Sequence, residues 1–153
     1  MARSGRLTVA AAVSLAVVMT SVACGTADGG SGPGYFGRWE VIGFDMPGFH
    51  ALSAEESEAL VGTEAVFSEG EARFGDLGCR PPAYDERDVE LPDFGSEYRV
   101  DPVLLDLSDP VQVVDVGCAA AWTGPGSLLI LRADGSMLTV WEGVFFELAR
   151  VSP

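Results

Sequence analysis

The sequence predicts a mainly β fold, a small antiparallel β-barrel of seven to nine short strands with one short helix after the first strand. Two features carry this prediction. Short stretches of alternating apolar and polar residues are separated by glycine-containing turns, and a Ser-x-x-Glu capping box marks one clear helix. Many short strands joined by tight turns are typical of small antiparallel barrels.

The chain begins with the features of an export signal. Arg3 and Arg6 precede a mostly apolar run over residues 7–23, which ends in small residues just before Cys24. This run is shorter than the roughly 20 residues that cross a membrane as a helix. A basic start followed by an apolar middle and small residues is typical of a signal peptide.

The tripeptide Ser-Val-Ala before Cys24 resembles the lipobox of bacterial lipoproteins. The resemblance implies that residues 1–23 are removed and that the Cys24 thiol carries a lipid. We then expect an extracytoplasmic protein anchored to a membrane, the outer membrane if the cell has one. Residues 24–34, rich in glycine and serine, form a flexible tether to one β-barrel domain over residues 35–153. A plain secreted protein is the alternative, because Ser-Val-Ala also fits ordinary signal cleavage.

Three cysteines are present, and lipidation of Cys24 leaves Cys79 and Cys118 to pair. We expect a disulfide between these two, because extracytoplasmic compartments are oxidising. A metal site is the alternative for this pair. It lacks ligands, since His50 is the only histidine and neither cysteine belongs to a CxxC motif. We therefore expect no metal and no cofactor.

The composition is strongly acidic. The formal net charge is −14, no lysine is present, and removal of Arg3 and Arg6 takes the charge to −16. Nucleic acids and anionic lipid surfaces attract clustered cations, so the charge argues against both as electrostatic partners. It fits a basic partner or simply a solvated acidic surface.

The folded domain opens with a predicted strand over residues 36–43. Ser53 and Glu56 then form the capping box of a short helix, which Gly62 can end. The dipeptides Glu69-Gly70, Asp134-Gly135 and Glu142-Gly143 supply hairpin turns. Further strands are predicted next to these turns or close to them, at residues 63–68, 71–75, 111–118, 127–132, 137–141 and 144–150.

The pattern is weaker between residues 79 and 108. Two consecutive prolines exclude residues 80–84 from the centre of a sheet. Short edge strands are predicted at residues 89–91 and 98–100. Residues 103–107 fit either a strand or a helical turn.

The predicted strands place bulky side chains inside the barrel. By alternation, one of Phe145 and Phe146 lies in the core, and its neighbour is at least partly exposed or covered by the helix. The bulk of the inward set favours a filled barrel over one with a cavity. The inward set is Trp39, Val41, Phe67, Phe74, Val114, Leu129, Leu131, Met137, Trp141 and Phe146.

Gly37 and Trp39 in the first strand, with Arg150 at the end of the last, resemble the Gly-x-Trp motif and the C-terminal arginine of lipocalins and the wider calycin group. In that family the arginine lies across the tryptophan and closes one end of the barrel, a favourable cation–π arrangement. The resemblance implies a binding barrel that carries a small apolar ligand.

A second resemblance covers residues 65–79. Their strand–turn–strand pattern, which ends in Gly78 and Cys79, is similar to that of META-domain lipoproteins. That family usually has asparagine after the cysteine, where this chain has Arg80. Both resemblances imply a small, exported, non-enzymatic β domain.

No catalytic residue is predicted. His50 is the only imidazole and lies in a Pro-Gly loop, and no serine stands in a Gly-x-Ser-x-Gly elbow. The candidate binding residues are Trp122 and Tyr84. A loop tryptophan such as Trp122 either anchors a partner or folds back over an open barrel end, and both alternatives stay open.

Two hypotheses for the function follow. The first is a lipid-anchored, extracytoplasmic, non-enzymatic binding protein that carries a small apolar ligand. The second is an acidic envelope lipoprotein that binds or inhibits a basic protein through its loops, with an affinity that falls steeply as salt is added. In both cases we expect a monomer that contacts the membrane through its N-terminal lipid.

Overall fold

The computed structural model describes residues 32–119 and 122–152. They form nine antiparallel strands in one sheet that curls into a half-barrel, with few helices, and the predicted fold class is confirmed. The strands are β1 Gly37–Asp45, β2 Glu64–Phe67, β3 Ala72–Phe74, β4 Leu77–Cys79, β5 Ala83–Val89, β6 Val111–Gly117, β7 Leu128–Leu131, β8 Met137–Trp141 and β9 Val144–Arg150. The helices are α1 Ala54–Glu58 and α2 Leu91–Tyr98, followed by a 3-10 turn at Pro102–Leu105.

The predicted signal peptide, Cys24 and most of the predicted tether lie outside the described residues. Within the described ranges, no helix has the length and apolar character needed to cross a membrane.

The strand order across the sheet is β4-β3-β2-β1-β9-β8-β7-β6-β5. The first and last strands of the chain pair in the middle, where Trp39 lies opposite Arg150. The two edge strands, β4 and β5, are consecutive in the chain. The twist of the strands curls the sheet. A disulfide between Cys79 and Cys118 ties β4 to the end of β6, with 5.8 Å between the two Cα atoms. The predicted disulfide is therefore confirmed.

The concave face of the sheet carries a first core. All ten residues of the predicted inward set belong to this core or pack against it. The side chains of Val41 and Phe67 are fully buried, and Trp39 is 1% exposed. A β-bulge between Val41 and Gly43 shifts the alternation of β1, so that Phe44 also faces this core. Among the residues that the structure describes, side chains thus fill the interior of the half-barrel, apart from a cleft over β5 to β7 that is described below.

The convex face carries a second core that the sequence did not predict. α2 and the 3-10 turn lie over β6 to β9 and bury Phe94 and Leu105 completely. Their partners on the sheet include Ile130, Leu138 and Phe145. Both faces of this part of the sheet are therefore covered.

α2 takes the place of the two edge strands predicted at residues 89–91 and 98–100. That prediction was wrong except at Val89, the last residue of β5. Pro92 suits the first turn of a helix, where no N–H is needed, and the helix then turns Phe94 onto the sheet. Burial of that aromatic ring outweighs the weak helix propensity of the segment.

The capping box of α1 is present as predicted. Ser53 Oγ accepts a hydrogen bond from the Glu56 N–H at 3.2 Å, and the Glu56 carboxylate accepts one from the Ser53 N–H at 2.8 Å. The helix ends at Glu58 with Ala59 as its C-cap, earlier than the predicted end near Gly62.

The turns also follow the sequence. Glu142 and Gly143 both have positive φ angles, of 51° and 80°, which matches a type I′ hairpin between β8 and β9. Of the two alternatives for residues 103–107, the helical turn is the one observed.

Candidate functional site

Arg150 lies over the indole ring of Trp39, with its Cζ 4.4 Å from the ring centroid. Arg150 Nη1 donates to the carbonyl of Phe36 at 2.8 Å, and Nη2 donates to the carbonyl of Gly34. The indole N–H of Trp39 donates to the carbonyl of Tyr35 at 2.9 Å. The guanidinium therefore binds the chain just before β1 to the end of β9.

Gly37 is required for this arrangement. Its φ is 139°, and a Cβ atom at this position would collide with Nη1 of Arg150. L-residues rarely adopt such a φ, so a side chain here would be strained in addition to the collision.

Gly37→Ala should lower the free energy of unfolding by about 1–3 kcal/mol, the usual cost of a strained backbone position. Gly34→Ala is the matched control, because nothing lies within 4 Å of a Cβ built there. Urea denaturation of both variants measures the difference. Equal stabilities would contradict the assigned role of Gly37.

Three aromatic rings meet where the sheet is not closed by strand pairing. Tyr84 of β5 lies 5.2 Å from the ring of Tyr35 and 5.2 Å from that of Phe36, centroid to centroid. The Tyr84 hydroxyl donates to the carbonyl of Ser68 at 2.8 Å and accepts from the Ser68 N–H at 3.2 Å. The hydroxyl of Tyr35 donates to the carboxylate of Glu86 at 2.8 Å. Side chains thus bridge β5 to the β2–β3 turn.

Burial sets the titration of these hydroxyls. Desolvation raises the pKa of Tyr84 to about 12, although the hydrogen bond from the Ser68 N–H opposes the shift. Desolvation and then the hydrogen bond to Glu86 raise the pKa of Tyr35 even further above its ordinary value. Both groups stay neutral in the folded protein at pH values where an unfolded tyrosine ionises.

The stability of the fold should decrease as the pH rises from about 10 towards 12. In this window the unfolded chain releases a proton from Tyr84 that the folded chain retains, so alkali favours unfolding. Tyr84→Phe should be less stable at neutral pH by about 1 kcal/mol, because the bonds to Ser68 are lost. Its decline through the alkaline window should be shallower than that of the unsubstituted protein. Urea midpoints across this range test the prediction, and parallel curves would refute it.

Trp122 lies apart from the aromatic rings around Tyr84. It packs against the first core, and a Cβ at Gly126 would lie 3.0 Å from Phe74 Cβ and 3.1 Å from Trp122 Cζ2. The backbone at Gly126 is thus held closely between the two rings. The indole Nε1 is buried and has no hydrogen-bond partner among the residues that the structure describes. The structure brings Gly37, Trp39 and Arg150 together but gives Trp122 and Tyr84 separate neighbours.

The remaining groups with possible chemical roles are the single histidine and the acidic side chains. His50 is exposed, and its Nδ1 lies 2.8 Å from the carbonyl oxygen of Leu52. In the ranges 32–119 and 122–152, no group of three or more His, Cys, Asp or Glu side chains is arranged to hold a metal ion.

A cleft of about 280 Å³, here called the β5 cleft, opens over β5, β6 and β7. Glu86 lies opposite Val114, while Asp88 lies opposite Gln112, which in turn lies opposite Leu131. The two carboxylates and the amide are exposed, and Val114 and Leu131 belong to or pack on the first core. Val113 and Arg87 complete the lining, and Arg87 is paired with Glu97 and Asp115. The cleft thus combines two carboxylates with apolar side chains, a combination suited to a basic side chain with an apolar stem.

Sequence reasoning missed the β5 cleft because it did not predict β5. The segment has four consecutive charged residues, 85–88, after two prolines, so apolar–polar alternation gave no signal for a strand there.

Most arginines in the described part of the chain already have acidic partners. Hydrogen bonds from Arg38 and Arg73 lower the pKa of the Glu64 carboxyl below its usual range. The ion pairs are Arg38–Glu64, Arg73–Glu64, Arg73–Glu71, Arg80–Glu71, Arg87–Glu97, Arg87–Asp115 and Arg132–Glu147. Because acids outnumber basic residues by 23 to 9 in the whole chain, these pairs leave the surface with a large negative excess.

Comparison of the chain with protein-family models, curated proteins and solved structures found no match. The resemblances to lipocalins and to META-domain lipoproteins therefore remain predictions from the sequence.

Proposed function

We propose that this protein is a lipid-anchored, extracytoplasmic, non-enzymatic binding protein whose acidic surface binds a basic protein partner. The observation that carries the proposal is the filled first core beneath a surface of unbalanced negative charge. A filled interior supports action through the surface, because a carrier of a small apolar ligand needs an apolar cavity.

The charge supports a protein partner of opposite sign. Arg87 and Arg132 neutralise acids of the same chain, and the excess of acids over basic residues sets the negative field that a partner meets. Opposite charge on a partner raises the rate of association and selects against acidic competitors.

Cys24 provides the anchor in this proposal. Its lipid would hold the domain at the membrane surface, and the glycine-rich residues 25–34 would let it reach a partner. Cys24→Ala should move the protein from the membrane fraction to the soluble fraction. Retention of the variant in the membrane fraction would refute lipid anchoring at this residue.

Cross-linking in intact cells, followed by mass spectrometry, tests the partner. We expect a cross-linked protein with a net positive charge. Once purified, the complex should dissociate near 1 M salt, where the Debye length falls to about 3 Å. A salt-resistant complex, or an acidic partner, would contradict the proposal.

A further inference from the structure

β5 is an edge strand with a free side. It pairs with β6 along its full length, from Ala83 to Val89, and has no second neighbour among the strands that the structure describes. The disulfide ties the end of the neighbouring strand β6 to β4, and the Tyr84 side chain ties the start of β5 to the β2–β3 turn. From residue 85 to residue 89, no strand in the described ranges pairs with its outer side. Such an edge leaves backbone donors and acceptors available for another strand.

The free part of β5 also borders the β5 cleft. Glu86 and Asp88 project from this strand into the cleft, two residues apart and therefore on the same face. The same short segment therefore presents both backbone hydrogen-bonding groups and two acidic side chains to a partner.

We propose that an extended segment of the basic partner adds to β5 as a further strand, with its basic side chains over Glu86 and Asp88. This inference rests on the proposed function and specifies how the partner is held. In strand addition, backbone hydrogen bonds supply affinity and alternate side chains supply specificity. Stems of lysine or arginine can lie beside the half-buried Leu131 while their charged ends reach the carboxylates.

Charge selects this occupant over a second copy of the chain. Antiparallel pairing of two β5 strands would place carboxylates near carboxylates, and like charges across a strand pair are destabilising. A basic segment reverses that effect.

The other face of β5 defines the remaining positions of the segment. Arg87 on that face is already bound by Glu97 and Asp115, and Val89 is buried in the second core. Asp85 is exposed on the same face, so apolar side chains of the partner fit beside Arg87 and Val89 rather than beside Asp85. The segment that fits best alternates basic residues with apolar ones.

Two peptides of identical composition test the inference on protein purified from cells that express the full chain. The first alternates lysine and valine over seven residues, the length of β5. The second carries all its lysines at one end. We expect the alternating peptide to bind about tenfold more tightly and to slow amide hydrogen exchange at residues 85–89. Equal affinities with unchanged exchange would overturn strand addition while leaving a basic partner in place, because charge alone would explain binding.

Matched charge variants locate the binding surface. Glu86→Gln/Asp88→Asn should weaken binding of the alternating peptide about tenfold, as expected for the loss of two exposed charge pairs. Glu55→Gln/Glu58→Gln on α1 removes the same charge elsewhere and should change the affinity less than about twofold. Equal effects of the two double variants would overturn the assignment to β5. Failure of both peptides to bind would also overturn it, whereas the cross-linking experiment decides the proposed function separately.

Discussion

Replacing both Cys79 and Cys118 by alanine should lower the free energy of unfolding by about 4 kcal/mol, the value that the chain-entropy model gives for a loop of this length. The two cysteines are separated by 39 positions in the chain. Their bond joins β4 to the end of β6, across a seam that has no strand pairing. Without it, the unfolded chain gains freedom, and the two edges of the sheet are held mainly by side chains such as Tyr84.

Urea denaturation measures this change. A reducing agent should destabilise the unsubstituted protein by a similar amount and leave the double variant unchanged. A double variant as stable as the parent would show that the seam is held without the disulfide.

Phe94→Ala should lower the free energy of unfolding by about 3–5 kcal/mol, the range for truncating a fully buried aromatic side chain. The ring of Phe94 is completely buried between α2 and the convex face of the sheet. Its removal leaves a cavity that the short helix cannot easily fill, and α2 should detach before the sheet unfolds.

Val103→Ala is the matched control for this prediction. Val103 lies in the neighbouring 3-10 turn and is 78% exposed, so its truncation should change stability by less than about 0.5 kcal/mol. Similar losses for both variants would contradict the second core.

The strands that the sequence predicts correctly are those in which alternation and turn chemistry agree. In β8 and β9, Met137 and Phe146 face the first core, and the Glu142-Gly143 turn fixes their register. Such strands are defined by local signals, so one sequence is enough to place them.

The second core was not predictable from alternation alone. In β9, alternation assigns Phe145 to the outer face, but it does not say which segment covers that face. The cover is α2, a short helix with Pro92 and Gly95 that is stable only because Phe94 packs on the sheet. A tertiary contact therefore determines α2, and the helix propensity of its residues alone does not predict it.

The candidate site was only partly predictable. Trp39 and Arg150 were found through the resemblance to a family motif, and the structure places them in contact. Glu86 and Asp88 were not singled out, because acids are so frequent in this chain that a pair carries almost no signal. Their position on a free edge becomes visible only once the strand order is known.

Native and denaturing mass spectrometry of the purified protein tests the central claim most directly. Side chains of the protein itself fill the first core, and the β5 cleft is lined by exposed charged groups, so the mass should be the same in both measurements, apart from any bound protein. The mass should also show the loss of two hydrogens for the disulfide. A small apolar molecule that is reproducibly released on denaturation would contradict the filled interior and favour a ligand carrier instead.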